Sequence, residues 1–388
     1  MRLIFLSWAY PPIVQPRAVQ VARLATALDR PIEIYCAGDA SCEDGKRSIH
    51  RIAEPDTWGR IVPRAMRGIV APPDPQRPWA LQCAREIAAR APPGSSDLIV
   101  TFGQPMSSHL AGLALKRRFG NRWIAHFSDP WADNPMAVLP LLHRVANRRL
   151  ERRVLGAADR VLFTSHETLD LVMSHHPESW RGKAGLLPHG FDETLYPPRE
   201  KATGPIVLRY LGALYARRGP GPLLEGLELL ARHDVALLQR LRVEFIGAVS
   251  RRFAGAEAKA LAGTVRFCAP VDYANSLALM RSADLLLHID APAATSVFLA
   301  SKLVDYLGSR RPIVGITPEG TAATLIRAMG GWVADPASPQ AIASALAAAV
   351  AHVERRRDDD WGNDEVRQHY RIATVAVDFA AILDALAR

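Results

Sequence analysis

Short apolar runs alternate with stretches of helical periodicity along the whole chain. Leu3-Ile4-Phe5-Leu6 is a continuous apolar run closed by Tyr10-Pro11-Pro12, the pattern of a buried strand ending in a turn. Val19, Ala22, Leu24, Ala25 and Leu28 then recur at helical spacing, and 32–35 predicts a second strand. Further strands are predicted at 97–101, 123–127, 160–164 and 185–188, with a helix over 110–118. The second half repeats the plan. Strands are predicted at 206–211, 242–246, 265–267, 284–288, 312–315 and 331–334, and helices at 221–232, 273–281, 301–308, 321–329 and 339–352.

Apolar strands spaced by amphipathic helices predict parallel sheets with helices on both faces. The fold class is therefore α/β, with two Rossmann-like, doubly wound domains flanking a cleft. The first domain is predicted over 1–190 and the second over 206–365, joined by a linker at 191–205 rich in Pro, Glu and Lys. The end of the chain, 363–388, reads as a helix pair, with Val375, Phe379, Ile382 and Leu386 on one face; its helix at 366–388 is expected to pack back on the first domain.

The composition is that of a folded globular chain: 388 residues, 49% hydrophobic and 22% charged. No apolar run approaches the ~18 residues of a membrane span, and the N-terminus lacks the pattern of an export signal. Cys36, Cys42, Cys83 and Cys268 show no CxxC spacing, which fits a reducing cytoplasm and argues against a disulfide scaffold or a cysteine zinc site. The net charge of +9 is unevenly placed. Residues 1–190 hold 25 Lys and Arg against 17 Asp and Glu, whereas 191–388 hold 23 against 22. A basic first half suggests an anionic partner there, or else an arginine-rich solvated surface. Nucleic acid is disfavoured, because no zinc-finger, RNP or similar pattern is present. Residues 60–70, with Arg60, Arg64 and Arg67 among apolar side chains, read as contact with an anionic membrane surface or as a packed surface helix.

In doubly wound sheets ligands bind beyond the carboxyl ends of the strands, so the strand-to-helix loops carry the candidate chemistry. The first loop lacks the glycines of a dinucleotide fingerprint, which argues against a Rossmann dehydrogenase. There Arg17 follows Pro16 at the start of a helix, where its charge opposes the macrodipole; it either faces solvent or meets a bound anion. In Phe127-Ser128-Asp129-Pro130-Trp131 a carboxylate follows an apolar strand, backed by an aromatic ring. Such a pair suits a sugar, with the ring on C–H faces and the carboxylate on hydroxyls; the alternative for Asp129 is a helix N-cap. His126 reads as a strand residue. In the second half, Gly212 permits close backbone approach and Arg218 can meet phosphate oxygens bidentately. Ser301 and Lys302 open a helix whose first amides can receive an anion. Asp305 stands one turn on, as an acceptor of sugar hydroxyls or as an ion-pair partner of Lys302.

These motifs resemble glycosyltransferase family 4, retaining nucleotide-sugar enzymes of the GT-B fold, over nearly the whole chain. The similar stretches are Val265 to Val271 with Leu279 to Leu285, Ser301-Lys302-Leu303-Val304-Asp305-Tyr306-Leu307 with Arg311-Pro312-Ile313-Val314, and Gly330 to Pro336. Residues 73–79 and 127–131 resemble bacterial polysaccharide-type members. The resemblance implies a donor site of Gly212, Arg218, Val271, Ser301, Lys302, Leu303 and Asp305. Arg218 stands where the family has its diphosphate-binding lysine, and Asp305 replaces the second of two glutamates, the one that binds ribose. It implies an acceptor site at Pro16, Arg17 and Trp131, and a catalytic set of Asp129, Arg218 and Lys302. It also implies hexosyl transfer with retention, without metal or cofactor, from a nucleotide sugar such as a UDP-sugar to a saccharide or lipid-linked acceptor. A cytoplasmic place, peripheral to the membrane, goes with that. Four positions depart from the family: Val297 in place of the first glutamate, Ala213 in place of an arginine, Val14-Gln15-Pro16 in place of a glycine pair, and Ser128 in place of His or Arg. Either the donor is held differently here or activity is reduced. The competing readings are a degenerate member that binds nucleotide or a partner without turnover, and an epimerase of the same fold; Val297 argues against the latter.

Overall fold

The structure, a computed structural model, describes residues 1–56, 72–215, 217–250, 253, 261 and 263–388. The basic stretch at 60–70 lies outside them. The chain divides into two units, Met1–His189 with Ile372–Arg388, and Gly190–Arg371.

The first unit runs β1 (Leu3–Leu6), α1 (Pro16–Ala27), β2 (Ile32–Ala37), β3 (Cys42–Asp44), β4 (Arg47–Ile52), α2 (Arg77–Arg90), β5 (Leu98–Phe102), α3 (Ser108–Phe119), β6 (Arg122–Phe127), α4 (Leu141–Ala157), β7 (Arg160–Phe163), α5 (His166–Met173) and β8 (Ala184–Leu186). Its sheet has the order β3-β4-β2-β1-β5-β6-β7-β8, parallel throughout except that β3 pairs antiparallel with β4. The central strands β1 and β5 are buried along their whole length, which is why they read as unbroken apolar runs. Pro16 opens α1, where a missing amide proton costs nothing. Gly120, at φ +70°, ends α3, its amide donating to the Lys116 carbonyl.

The second unit runs β9 (Ile206–Leu211), α6 (Gly221–His233), α7 (Val235–Gln239), β10 (Leu241–Ile246), β11 (Val265–Cys268), α8 (Tyr273–Arg281), β12 (Leu285–Ile289), α9 (Ser301–Gly308), β13 (Ile313–Ile316), α10 (Thr321–Ala328), β14 (Trp332–Ala334), α11 (Pro339–Arg356) and α12 (Asp364–Gln368). All its strands are parallel, in the order β11-β10-β9-β12-β13-β14. The last helix, α13 (Ile372–Ala387), belongs to the first unit. There Phe379 lies wholly buried, its ring 6.3 Å from that of Phe5. Burying such a side chain contributes about 2–3 kcal/mol.

The α/β class and parallel sheets expected from the apolar pattern are those of the structure. One expectation needs correction. Residues 191–205 are not a bare linker: Phe191 is buried in the second unit's core, and the Tyr196 hydroxyl donates to the Asp305 carbonyl at 2.6 Å. Charged residues surrounding these two aromatics mask them in a composition reading.

Each sheet has one point where strand order reverses, between β1 and β5 and between β9 and β12. Loops leaving such a pair of strands diverge to opposite faces and open a crevice between them. Both candidate sites are built there.

Candidate functional site

In the second unit the site forms where β9 and β12 end. Gly212 follows β9 at φ +128°, a conformation open to glycine and strained for other residues. A Cβ there would lie 3.6 Å from Lys302 Cδ and 3.8 Å from its Nζ, so the lysine chain rests on this glycine. Gly247, at φ +146°, comes closer still: a Cβ on it would stand 2.2 Å from the Gly212 carbonyl oxygen. Two glycines are thus required for the β9 and β10 loops to pass each other.

Lys302 enters from the first turn of α9 and sets its Nζ 3.6 Å from the centre of the Tyr210 ring, a cation–π contact. Arg218, from the loop after β9, sends Nη2 to Asp290 Oδ1 at 2.9 Å. Asp290 directly follows β12 and is buried. It also accepts from Ser296 Oγ and Thr317 Oγ1, each at 3.0 Å, and faces His288 Nε2 at 3.2 Å.

The electrostatics follow from this packing. Burial, then the Arg218 guanidinium, push the Lys302 ammonium well below the usual lysine range, with Asp290 pulling the other way. For Arg218 burial opposes the charge, but Asp290, Tyr210 and Tyr215 outweigh it and leave the pKa raised. Burial would raise Asp290; His288, Arg218 and Ser296 overcome that and hold it below the usual carboxylate range. Arg218 and Lys302 therefore repel each other through space, and the buried Asp290 carboxylate attracts both. A second anion entering there restores the lysine's charge.

The α9 N-terminus adds amides. Its N-cap, Ala300, has no side chain to cap them, although the Leu303 amide is already given to the Ala300 carbonyl at 2.9 Å. Ser301 is half-buried beside Lys302. Three residues assigned to the donor from the sequence sit otherwise. The Leu303 side chain is buried in the core, because it falls on the inner face of α9. Asp305 is buried too, its Oδ1 accepting from the Tyr273 hydroxyl at 3.1 Å. Val271 is exposed in the segment between β11 and α8. Val297 is buried and apolar, so no carboxylate stands at that position. Asp290 is the group the sequence reading missed. Its signal was available, since a carboxylate just after an apolar strand is what marked Asp129.

In the first unit a pocket of about 370 Å³ opens where β1, β5 and β6 end. Trp8, Gln15, Gln104, Trp131, Asn134 and Asn147 supply rings and amides to it. Trp131 is mostly buried, its Nε1 donating to Asn147 Oδ1 at 3.3 Å, so only part of it is offered to a ligand. Asp129 is half-buried and accepts from Gln104 Nε2 at 2.7 Å. Asp74, whose pKa burial raises, accepts from the Gln76 and Ser107 amides at 3.2 and 2.9 Å and so pins the pocket wall.

Arg17 departs from the solvent-facing alternative. It is buried, with Nη2 2.8 Å from His126 Nδ1 and 3.1 Å from the His126 carbonyl. His126 Nε2 lies 3.0 Å from the Leu187 carbonyl, so Nε2 carries the proton and Nδ1 accepts from Arg17. Burial pulls Arg17 down to about 9, with Asp129 opposing, and holds His126 well below its usual range, helped by Arg17. His126 is thus a strand residue, as expected, and also the support of an arginine. Pro16 opens α1 with no side-chain cap at Gln15.

The family model of Glycosyltransferase Family 4 matches residues 18–195. No curated protein matches. Among solved structures, the sucrose-phosphate synthase of Thermosynechococcus elongatus superposes with a TM-score of 0.76 at 16% identity, over 100% of this chain and 99% of that one. Anabaena HepE in complex with UDP and glucose gives 0.70 at 14%, over 99% and 100%. The UDP-forming α,α-trehalose-phosphate synthase of Burkholderia xenovorans, in complex with glucose-6-phosphate, gives 0.71 at 15%, over 99% and 100%. At such identities the likeness is one of fold. Residues 18–195 are thus similar to Glycosyltransferase Family 4, and the chain as a whole has the GT-B fold.

Proposed function

We propose that the protein transfers a hexosyl group from a nucleoside diphosphate sugar to an acceptor hydroxyl, with retention at the anomeric carbon and without a metal or cofactor. The observation that carries this reading is Lys302, resting on Gly212 and Tyr210, within electrostatic reach of Arg218 on Asp290 at the β9/β12 reversal. A leaving diphosphate gains charge as the bond from the anomeric carbon to its oxygen breaks, and preformed cations stabilise that charge most. Arg218, oriented by Asp290, and Lys302 with the first turn of α9 take the part a divalent ion takes in other transferases. The acceptor oxygen bonds to the anomeric carbon on the face the diphosphate leaves, and its proton passes to the departing phosphate oxygen. UDP is the favoured nucleotide, because HepE is seen with UDP and the trehalose-phosphate synthase is UDP-forming.

The acceptor is placed in the pocket of the first unit, whose rings and amides suit a saccharide, free or lipid-linked as in polysaccharide biosynthesis. Asp129, fixed by Gln104, then orients an acceptor hydroxyl. A cytoplasmic place beside the membrane goes with a lipid-linked acceptor; among the described residues no helix is long and apolar enough to cross one.

Buried Val297 favours a second reading, nucleotide binding without turnover. Incubation with UDP-hexoses and a membrane lipid extract separates the two. Transfer releases UDP and yields a product whose anomeric coupling, by NMR, matches the donor. UDP bound but never released from any donor leaves the second reading standing, and an inverted product removes retention.

A further inference from the structure

The surface beside the first unit's pocket carries a feature that glycosyl transfer does not use. Val138 is 98% exposed, Leu142 84%, Leu141 72% and Val145 38%, four large apolar side chains within eight residues. Leu141, Leu142 and Val145 lie on the outer face of α4, opposite the face buried through His143, Asn147, Glu151, Val154 and Leu155. Further along that outer face come Arg148, Arg149, Arg152 and Arg153, all exposed, with exposed Arg144 in the first turn. Arg148 pairs with Asp133 and Arg152 lies 6.0 Å from the Trp180 ring centre. Glu151, the one carboxylate of α4, is turned inward to the Ala132 amide and His176. The outer face is therefore apolar at its tip and, apart from Arg148 held by Asp133, cationic behind it.

We infer that this Val138–Val145 tip and the arginine row of α4 form a docking surface for an anionic phospholipid bilayer. Leucine and valine side chains enter the boundary between headgroups and acyl chains, and guanidinium groups meet lipid phosphates. The row of charges also decides against self-association. A two-fold pair would set one copy's arginines against the other's, whereas an anionic surface neutralises them. Asn134, Ala137 and Leu139, from the segment leading into α4, line the pocket, so docking brings the pocket to headgroup level. The docking surface stands without the glycosyl-transfer reading; only its bearing on a lipid-linked acceptor rests on that reading.

The test is co-sedimentation of the full chain with phosphatidylglycerol–phosphatidylcholine vesicles and with pure phosphatidylcholine vesicles, beside light scattering for oligomeric state. The native chain favours the anionic vesicles by roughly tenfold or more, and added salt reduces the preference. Leu141→Asp with Leu142→Asp, and separately Arg149→Glu with Arg153→Glu, each lower the partition by about tenfold. These side chains are exposed, so both variants keep the native melting temperature and UDP affinity. Failure of the native chain to bind anionic vesicles overturns the inference, as does binding by both variants as strong as that of the native chain. A native dimer that the leucine variant makes monomeric, with no vesicle binding, assigns the patch to a second copy instead.

Discussion

Arg218, Lys302 and Asp290 concentrate the account into three side chains. Lys302 rests on a glycine and against an aromatic face, with its pKa pushed below the usual lysine range. A bound diphosphate favours the charged lysine, so above the free protein's depressed pKa nucleotide binding takes up a proton. UDP affinity therefore falls as pH rises through that range, and Lys302→Met removes this slope. Calorimetric titrations in buffers of different ionisation enthalpy measure the uptake; an unchanged slope in the variant would contradict the assignment. Lys302 was legible in the sequence because it opens a helix, and Arg218 because it lies in the strand-to-helix loop after β9. Asp290 carried the same signal as Asp129 but was passed over, because the predicted strand stopped at 288 and the structure carries β12 to Ile289. Leu303 was placed by resemblance and Asp305 by its spacing from Lys302 as well, and only the turn of α9 reveals that both side chains face inward.

At the scale of elements, the fully buried strands and the amphipathic helices of the second unit came out of the apolar pattern within a few residues. The elements not foreseen share a physical cause. The β3 segment Cys42–Asp44 is exposed throughout, and β4 buries only Ile49 and Ile52, so neither shows an apolar run. Helix α4 turns a narrow buried stripe inward and leaves leucine and arginine outside, which blurs its periodicity. Asp284, just before β12, shows how one carboxylate holds several segments. Buried, it accepts from Arg357 at 2.7 and 2.9 Å, from Arg199 at 3.2 Å and from the Val207 amide at 2.9 Å. Arg199 lies in the stretch expected to be a linker, so this contact pins that stretch to the β9–β12 pair. Asp284→Ala leaves two guanidinium groups and an amide without their partner and is expected to cost about 3 kcal/mol. Urea denaturation measures it, and a loss below about 1 kcal/mol would show that the network relaxes without cost.

Across the molecule, the chain carries one candidate site per unit, each at the reversal of its sheet. The sequence disclosed this plan because parallel strands buried on both faces must be apolar, and loops beyond their carboxyl ends must carry the polar chemistry. What it left open, the group that orients Arg218 and the amides around Trp131, depends on pairs of residues distant in the chain. The +8 balance of residues 1–190 gains a partial address in the arginines of α4. Calorimetric titration of the full chain with UDP, alongside Arg218→Ala and Lys302→Ala, tests the central claim most directly. Each variant is expected to lose about tenfold or more in affinity while keeping the native circular dichroism. Equal UDP affinity in all three chains would contradict the account.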